Sequence, residues 1–576
     1  MNTLEPIKIL IDDRNYTSWS FWNISQNEEV KPESININPV EHKLFTSDLF
    51  TIDNDKVTIV NSPMRTNPYI AGVLILEDGK TYGRTENKKR LLYRCFPDDT
   101  RLPTFLIPYD ISIGFSKVNK NKYVIFKFDH WKDKHPKGLL KETIGDVGSL
   151  EAFYEYQLYS KSLHISLKDM TNKTRDILRK HSTNEYVQQI FQNSNFIIED
   201  RRNDYIFTID PQNSVDFDDG FGIKELENGR WRVSIYLANV FIWLETLGLW
   251  NSFSNRVATI YLPDCRRPML PTILSDTLCS LQQDHIRFAF VIDLIVDDYG
   301  IIDQDEYKLT NAMIHVSKNY VYEEKKMMED QQYKNMIQVT SKIDKTIKNS
   351  HELVAFWMIQ MNKYCACEMM KQQIGIFRSA TICNSLLRED IDVTLSEHAQ
   401  QAIRNWNNVA GQYVVFSKDA ILEHEILKTK SYIHITSPIR RLVDLLNQML
   451  LFRSIGLVKK ISEDGIIFIQ KWLEKIDYIN TSMRSIRKIQ TDCMILHTCF
   501  TNPKVMNEIH DGVVFDKVTK NNGIISYMVY LEQLKLLTKI NVTNDIENYT
   551  RMKFKLYLFE NEEFTKKKIR LQLQQG

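Results

Sequence analysis

The chain has 576 residues, of which 43% are hydrophobic and 26% are charged, and its formal net charge is +1. This length and composition exclude a disordered or fibrous protein and indicate several folded domains. The net charge excludes a protein coated in positive charge, although a basic channel offset by local acidic groups is compatible with it. The eight cysteines include no Cys-x2-Cys pair, which argues against a structural zinc site and for reduced thiols.

The sequence carries no signal-peptide or membrane-spanning pattern. Its first fifteen residues are charged and lack an apolar core. The longest apolar segment, 233–250, is interrupted by Asn239 and Glu245 and is typical of a strand followed by a helix. We therefore expect a soluble intracellular protein, cytoplasmic or nuclear, that does not contact a membrane.

Residues 1 to about 60 are polar and mixed, with short apolar pieces. From there to about residue 186 the chain contains the short apolar runs and turns that are typical of small β-barrels. Aromatic and basic residues are interleaved between 115 and 131, which is the pattern of a surface that stacks on nucleic-acid bases. Strands also bury alternate aromatic side chains, so a core position is the other interpretation for each of these residues. The residues are Phe115, Lys117, Tyr123, Lys127 and Trp131.

One short segment carries four carboxylates. Pro211 and Gly220 break any helix between the apolar runs 205–207 and 221–223, which indicates a loop between two strands. Carboxylates so close together are stable only with a cation among them or with some of them protonated. Oxygen ligands favour Mg²⁺ or Mn²⁺ over zinc, and the spacing is not that of a calcium-binding EF-hand loop. The four acids are Asp210, Asp216, Asp218 and Asp219.

A second motif lies at residues 436–441. Ser437 and Pro438 are residues that begin helices, so we expect a helix there with Arg440 and Arg441 in its first turn. Arginines at that end oppose the helix dipole, which indicates an anionic group nearby. A helix N-terminus with two guanidinium groups predicts a phosphate site; the alternative is a salt-bridged arginine pair on a surface helix.

The two motifs resemble the signatures of the ribonuclease II family, whose catalytic unit is the RNB domain. Residues 208–219 are similar to its T-I-D-P and D-x-D-D elements, and residues 436–441 to its T-S-P-I-R-R string. Segments between 96 and 148 resemble the second cold-shock domain of the eukaryotic branch, in members without an added N-terminal nuclease domain. The segment from about 505 onward resembles the family's C-terminal barrel.

This resemblance implies a multidomain α+β fold in four parts. Residues 1–97 would contain a first cold-shock-like barrel, and residues 98–186 a second barrel of the oligonucleotide-binding type. Residues 187–500 would form the RNB catalytic domain, and residues 501–576 a C-terminal S1-like barrel.

The resemblance also implies a function. It is that of a monomeric 3′→5′ exoribonuclease that uses two Mg²⁺ or Mn²⁺ ions to degrade single-stranded RNA processively to nucleoside 5′-monophosphates. The metal centre would be formed by the four aspartates, with Asp218 the most important for cleavage. Arg440 would hold the scissile phosphate, and Tyr322 would pack on the last nucleotide. Further RNA contacts would come from Tyr261, Arg378 and Arg441.

Several positions depart from the family pattern. Ala355 stands where the family commonly has a glutamate that touches the terminal ribose, and Glu352, one turn earlier, is a candidate replacement. Asn239 and Gln448 replace an aspartate and a histidine. These departures keep a second hypothesis open, namely an RNA-binding protein of the same fold with weakened catalysis. A third, an unrelated phosphodiesterase or DNA nuclease, would leave both motifs unexplained.

Overall fold

The computed structural model of the chain describes residues 3–574 apart from 27, 31–34, 36, 54–55, 88, 112–118, 381–394, 410, 425–426, 428, 520–523 and 561–566. The predicted base-stacking residues Phe115 and Lys117 lie outside the described residues. Within the described part of the chain, no helix is both long enough and apolar enough to cross a membrane. The fold is α+β, as predicted, with β-structure at both ends and a helix-flanked sheet between them.

The N-terminal region forms an antiparallel sheet of five strands. They are β1 (Thr3–Ile11), β2 (Trp19–Asn23), β3 (Glu28–Val30), β4 (Leu49–Asp53) and β5 (Lys56–Asn61). Their order across the sheet is β3-β2-β1-β4-β5. A short helix, α1 (Pro63–Thr66), follows, and Ser62 caps it by accepting a hydrogen bond from the Arg65 amide.

The next five strands close into a barrel in the order β10-β8-β7-β6-β9. They are β6 (Ile70–Leu74), β7 (Leu91–Pro97), β8 (Phe105–Tyr109), β9 (Lys122–His130) and β10 (Lys137–Asp146). The boundary predicted between residues 97 and 98 falls inside this barrel. Because β6 hydrogen-bonds to both β7 and β9, residues 70–97 belong with the second barrel and not with the first. Tyr123 and Trp131 are buried, so the core interpretation is confirmed for these two.

Three helices connect the barrel to the central region. They are α2 (Leu150–Ser160), α3 (Lys168–Leu178) and α4 (Thr183–Gln192). The hydroxyl of Tyr154 on α2 lies 3.0 Å from Nδ1 of His497. Its neighbour Glu155 forms an ion pair with Arg267. Helix α2 therefore ties the barrel to the central region through polar contacts as well as through its buried aromatic face.

The central region contains eleven strands among the described residues. They are β11 (Ile198–Arg201), β12 (Phe207–Asp210), β13 (Asp219–Glu225), β14 (Trp231–Ala238), β15 (Ile260–Tyr261), β16 (Arg266–Arg267), β17 (Ile286–Val296), β18 (Ile302–His315), β19 (Lys318–Val321), β20 (Ile376–Ser379) and β21 (Gln412–Val415). Seven of them form a mixed sheet in the order β11-β18-β17-β14-β13-β12-β19. The pairs β15–β16 and β20–β21 form two small separate ladders.

Helices surround this sheet. They are α5 (Val240–Thr246), α6 (Lys325–Glu329), α7 (Gln331–Ile343), α8 (Ser350–Lys371), α9 (Glu397–Val409), α10 (Leu442–Ser454), α11 (Glu463–Leu473) and α12 (Ile476–Thr501). A π-helical turn spans Ile273–Leu278, and 3₁₀ turns span Glu227–Gly229, Trp250–Ser252 and Pro503–Met506. The strand and helix predicted within 233–250 are confirmed as β14 and α5.

Two of the departures from the family pattern lie in the interior and support the structure. Asn239 caps α5, because its Oδ1 accepts a hydrogen bond of 3.2 Å from the Ile242 amide. Its Nδ2 donates to Oδ1 of Asn311 over 3.0 Å. The Gln448 Nε2 donates to the carbonyl of Ala238 over 3.3 Å. Both side chains are fully buried and hold the end of β14 in place.

The C-terminal region is an antiparallel sheet of five strands in the order β24-β23-β22-β25-β26. They are β22 (His510–Thr519), β23 (Ile525–Leu531), β24 (Leu536–Val542), β25 (Arg551–Glu560) and β26 (Lys567–Leu573). Ala399 and Ile403 of α9 share an apolar cluster with Phe515 and Tyr530 of this sheet. The C-terminal sheet is therefore packed against the central region.

A buried ion pair joins β11 and β17 within the central sheet. The Nη1 and Nη2 atoms of Arg201 donate to the two carboxylate oxygens of Asp293 at 2.8 and 2.7 Å. Ser234 on β14 donates to the same carboxylate over 2.6 Å. Both charged side chains are less than a tenth exposed, so the Asp293 charge depends on Arg201 for its compensation. Arg201 has a second, partly exposed partner in Glu199, at 2.8 Å.

Replacing Asp293 with alanine should lower the free energy of unfolding by about 3 kcal/mol, because the Arg201 charge would remain buried with its main partner removed. Urea unfolding followed by tryptophan fluorescence would measure the change. Glu306→Ala is the matched control, since Glu306 forms an exposed ion pair with Arg230, and pairs of that kind contribute about 0–1 kcal/mol. Equal effects of the two substitutions would contradict the prediction.

Candidate active site

The four predicted acids lie where two neighbouring strands meet a loop. Asp210 is the last residue of β12 and Asp219 the first of β13, so the antiparallel pairing of these strands places the two side by side. Ser280 holds the connecting loop: its Oγ accepts a hydrogen bond from the Phe217 amide at 3.0 Å and donates to the Val215 carbonyl at 2.8 Å. The predicted loop between strand ends is therefore present.

Asp218 is the most enclosed of the four acids, with 2% of its surface exposed. Its Oδ1 accepts a hydrogen bond of 2.9 Å from the Ile439 amide. Its Oδ2 accepts one of 2.9 Å from Nε of Arg440. Both donors come from the second motif, so the two signature segments meet at this carboxylate. The Arg440 side chain itself is 44% exposed.

The second motif is a turn and not the start of a helix, so the predicted helix position is wrong. Helix α10 begins at Leu442, and Arg441 before it has an extended backbone with φ −136° and ψ 125°. The reason is a ladder to a distant segment. The Thr259 amide donates to the Arg440 carbonyl, and the Leu442 amide donates to the Val257 carbonyl, both at 2.9 Å. These bonds hold Arg441 extended, so the helix begins only at Leu442 despite the local helix-start signal.

Asp216 is held by the hairpin of β15 and β16. Nη1 of Arg266 lies 2.8 Å from Oδ1 of Asp216. The Tyr261 hydroxyl reaches the other carboxylate oxygen at 3.5 Å. Arg266 also pairs with Asp276. The sequence predictions missed Arg266; the only signal for it was its place just after the recognised segment that contains Tyr261.

Tyr322 lies directly beyond β19 and is fixed to the acidic loop. Its amide donates to the Asp210 carbonyl over 3.1 Å. Its ring stacks on the imidazole of His351, with 3.8 Å between centroids and 9° between planes. Tyr322 therefore stands beside the acids with its ring supported on one face by α8.

These elements enclose a cavity of about 720 Å³. Eight of the nine predicted site residues line it: Asp210, Asp216, Asp218, Asp219, Tyr261, Tyr322, Arg440 and Arg441. A cavity of this size falls within the range of roughly 300–1,000 Å³ that is usual for ligand sites. Acidic groups, two aromatic rings and guanidinium groups therefore converge on one enclosed space.

Comparison with protein-family models identifies this architecture. The RNB domain model matches residues 198–357, and the model of the Dis3-like cold-shock domain 2 matches residues 92–158. The chain therefore contains an RNB domain and a Dis3-like cold-shock domain 2. The acidic loop, Tyr261 and Tyr322 lie within the matched RNB segment, whereas Arg378 and the turn at 436–441 lie C-terminal to it.

Curated relatives and solved structures agree with this assignment. DIS3-like exonuclease 2 of Xenopus tropicalis is 30% identical over 226 residues, which are 38% of this chain and 26% of the relative. The Schizosaccharomyces pombe protein of the same name is 27% identical over 224 residues, 37% of this chain and 23% of the relative. The matched segments thus span about a quarter of the length of these relatives.

Two solved structures share the whole architecture. Mycoplasma genitalium RNase R in complex with ribose methylated single-stranded RNA superposes with a TM-score of 0.67 at 15% identity, covering 98% of this chain and 100% of that one. Yeast Ssd1, a pseudonuclease, superposes with a TM-score of 0.55 at 11% identity, covering 96% and 80%. At these identities the likeness shows the fold alone.

Helix α8 of the RNB domain presents Val354, Met358 and Asn362 to the cavity. Ala355 is exposed, and it is not among the described residues that line this cavity. Glu352 does not replace the missing glutamate, because its carboxylate accepts the Lys348 amide at 2.8 Å at the helix N-terminus. The expectation for Glu352 is therefore wrong: this wall of the cavity is mainly apolar.

The two remaining predicted RNA-binding arginines differ in position. Arg441 lines the cavity and donates from Nη2 to Asp444 over 2.9 Å. Arg378 is only 3% exposed, and its guanidinium lies 4.8 Å from the ring centroid of Tyr413. The Tyr413 hydroxyl lies 2.8 Å from Nδ1 of His434, which does line the cavity. Arg378 therefore sits one layer behind the cavity wall.

Burial disfavours the charged form of three of the four acids in the RNB domain. Burial, reinforced by the neighbouring Asp219 charge, raises the pKa of Asp210 to about 8. Burial likewise raises the pKa of Asp218 to about 7 and that of Asp219 to about 6, although the Arg440 guanidinium acts in the opposite direction on both. Within the described structure, Oδ2 of Asp210 is buried and has no hydrogen-bond partner.

This donor set fits a hard divalent cation, because all four groups are carboxylates and a cation would offset the cost of burying them. Their present geometry is that of ion pairs: Arg266 pairs with Asp216 and Arg440 with Asp218. Accordingly, among the described residues no three His, Cys, Asp or Glu side chains are grouped so that they could hold a metal ion. A divalent cation could therefore bind here only if the aspartate side chains moved closer together.

The raised pKa values predict how the metal-free RNB domain responds to pH. A carboxyl group in an unfolded chain has a pKa of about 3.9–4.3, so the folded protein binds protons more tightly than the unfolded chain. Stability in EDTA should therefore rise as the pH falls from 8 to 5. Thermal melts across this range would test the sign. Asp218→Asn removes one of the titrating groups and should reduce the gain; an unchanged pH dependence would contradict the assignment.

Proposed function

We propose that this protein is a divalent-metal-dependent 3′→5′ exoribonuclease that hydrolyses single-stranded RNA to nucleoside 5′-monophosphates. The observation that carries the proposal is the meeting of the acidic loop, Arg440 and Tyr322 around one cavity. The match of residues 198–357 to the RNB domain and the relatives named as exonucleases support the reaction class. Release of one nucleotide at a time, in a processive manner, is part of the proposal.

The acidic loop would hold the metal. Asp210, Asp216, Asp218 and Asp219 are the ligands we assign to two Mg²⁺ or Mn²⁺ ions. When bound, such ions supply an activated water and neutralise the charge on attacking and leaving oxygens. Asp218 has a second task in the protein itself: it fixes the turn that carries Arg440, through the two hydrogen bonds to residues 439 and 440.

Arg440 is placed to bind the scissile phosphate. Its Nε is committed to Asp218, which fixes the plane of the guanidinium group. The side chain is 44% exposed and lines the cavity that a phosphate would enter. A guanidinium held in this way stabilises negative charge that develops on the phosphate oxygens in the transition state.

Tyr322 would position the end of the strand. Its ring is backed by His351 and stands next to Asp210, so a terminal nucleotide that packs on the ring would bring its phosphate towards the acids. Such positioning restricts cleavage to the bond nearest the 3′ end. Tyr261, 41% exposed on the opposite hairpin, would contact RNA further from the end.

A time course with 5′-labelled single-stranded RNA tests the proposal. With Mg²⁺ or Mn²⁺ we expect a ladder or a short end product formed by shortening from the 3′ end, and no shortening in EDTA. Chromatography of 3′-labelled substrate should identify a nucleoside 5′-monophosphate as the released product. Internal cuts, or nucleoside 3′-phosphates, would refute it.

A second candidate is an RNA-binding protein of the same fold without turnover. The ion pairs of Asp216 and Asp218 with arginine favour it, because they satisfy two acids without a metal. The shared fold with Ssd1, a pseudonuclease, shows that the architecture exists in such a protein. RNA binding without shortening in either metal would select this candidate.

A further inference from the structure

Arg266 occupies the position at Asp216 where a cation would be expected. Its Nη1 is 2.8 Å from Oδ1 of Asp216, and the two side chains are 22% and 11% exposed. Water therefore screens the attraction between these two charges only partly. Arg266 also lines the cavity, so its charge faces the same space as the four acids.

Arg266 has a second partner that lies away from the acidic loop. The guanidinium also pairs with Asp276, in the π-helical turn that follows β16. The Ser275 hydroxyl donates a hydrogen bond to Oδ1 of the same Asp276 carboxylate. The planar guanidinium group is thus shared between two carboxylates, one in the acidic loop and one outside it.

We propose that Arg266 is a displaceable counter-ion of the metal centre. In the metal-free protein it neutralises Asp216; when a divalent cation binds the acidic loop, Arg266 gives up Asp216 and is retained by Asp276. The two states exclude each other because Arg266 and the cation compete for the same carboxylate oxygen and repel one another. This inference rests on the metal centre assigned under the proposed function.

If Arg266 is a displaceable counter-ion, the affinity for the metal depends on Arg266 although it is not a metal ligand. By linkage, whatever free energy the Arg266–Asp216 pair contributes to the metal-free protein is subtracted from metal binding. Removing the pair should therefore tighten metal binding, whereas removing a metal ligand should weaken it. The direction of the change in metal affinity therefore distinguishes the counter-ion Arg266 from the four aspartate ligands.

The test is Mn²⁺ binding to the full chain, measured by isothermal titration calorimetry without RNA. Arg266→Gln should lower the Kd for Mn²⁺ by about 5- to 20-fold. Arg266→Lys should also lower it, though less, because a lysine keeps the charge but cannot bridge two carboxylates. Arg267→Gln is the matched control on the same strand. Arg267 pairs with Asp264 and Glu155 and makes no contact with Asp216 among the described residues, so its Kd should match wild type.

Each outcome decides a separate point. If wild type binds Mn²⁺ and both Arg266 variants bind equally well or more weakly, the counter-ion role is wrong while the metal centre stands. If only Arg266→Gln binds more tightly, net charge and not the ion pair sets the affinity, and the proposal again fails. If no protein binds Mn²⁺, the metal centre itself is refuted. Should Arg266→Gln not fold, as judged by its thermal melt, Arg266→Lys carries the test.

Discussion

Replacing Asp218 with asparagine should abolish RNA shortening while leaving RNA affinity nearly unchanged. The substitution removes one negative ligand from the proposed metal centre. It also places an amide NH₂ opposite one of the two present donors, the Ile439 amide or Nε of Arg440, so that two donors face each other. The substitution should therefore impair both metal binding and the positioning of Arg440. We expect the rate of cleavage to fall by roughly 10³-fold or more.

Affinity should survive because the RNA contacts that we propose lie on other side chains. Tyr322, Tyr261 and the cavity-lining arginines remain, and the lost charge was of the same sign as RNA. The measurement pairs a cleavage time course in Mg²⁺ with fluorescence anisotropy in EDTA. Asp200→Asn is the matched control, since Asp200 pairs with Arg202 at an exposed position and should behave as wild type. Wild-type cleavage by Asp218→Asn would refute the metal assignment.

Replacing Arg440 with lysine should reduce the single-turnover cleavage rate by roughly 10²- to 10³-fold, a loss of the size seen when one transition-state donor is removed. Lysine keeps the positive charge but has neither the Nε that bonds to Asp218 nor the planar fork that matches a phosphate. RNA affinity should change by much less than the rate, because the arginine acts mainly on charge that develops during the reaction.

Arg453→Lys is the control for this second experiment. Arg453 lies at the exposed end of α10, the helix that follows the turn, and it does not line the cavity among the described residues. Its replacement should leave both rate and affinity unchanged. If Arg440→Lys weakened RNA binding as strongly as it slowed cleavage, Arg440 would be a ground-state contact only.

The chemical identity of the site was predictable from the sequence, because it depends on residue types at fixed short spacing. The four acids lie within ten residues, and Pro211 and Gly220 delimit the loop that carries them. That Arg440 belongs beside them followed from the family resemblance and not from spacing, since 222 residues separate it from Asp218. A local sequence pattern cannot predict a contact between residues so far apart in the chain.

The errors arose where distant contacts override local preference. Ser437 and Pro438 carry a helix-start signal, yet bonds to residues 257 and 259 hold Arg441 extended and delay the helix to Leu442. Glu352 was in reach of the cavity by helical spacing, but its carboxylate is used at the helix N-terminus. Arg266 was missed because its contact with Asp216 spans 50 residues and depends on how the hairpin folds back.

The same long separation sets when the site can assemble during synthesis. Translation proceeds at roughly 5–20 residues per second, so Asp218 is made roughly 11 to 44 s before Arg440. Throughout that interval both hydrogen-bond donors to its carboxylate, from Ile439 and Arg440, do not yet exist. A nascent chain on the ribosome therefore cannot assemble the site beside its own messenger RNA until most of the chain has been synthesised.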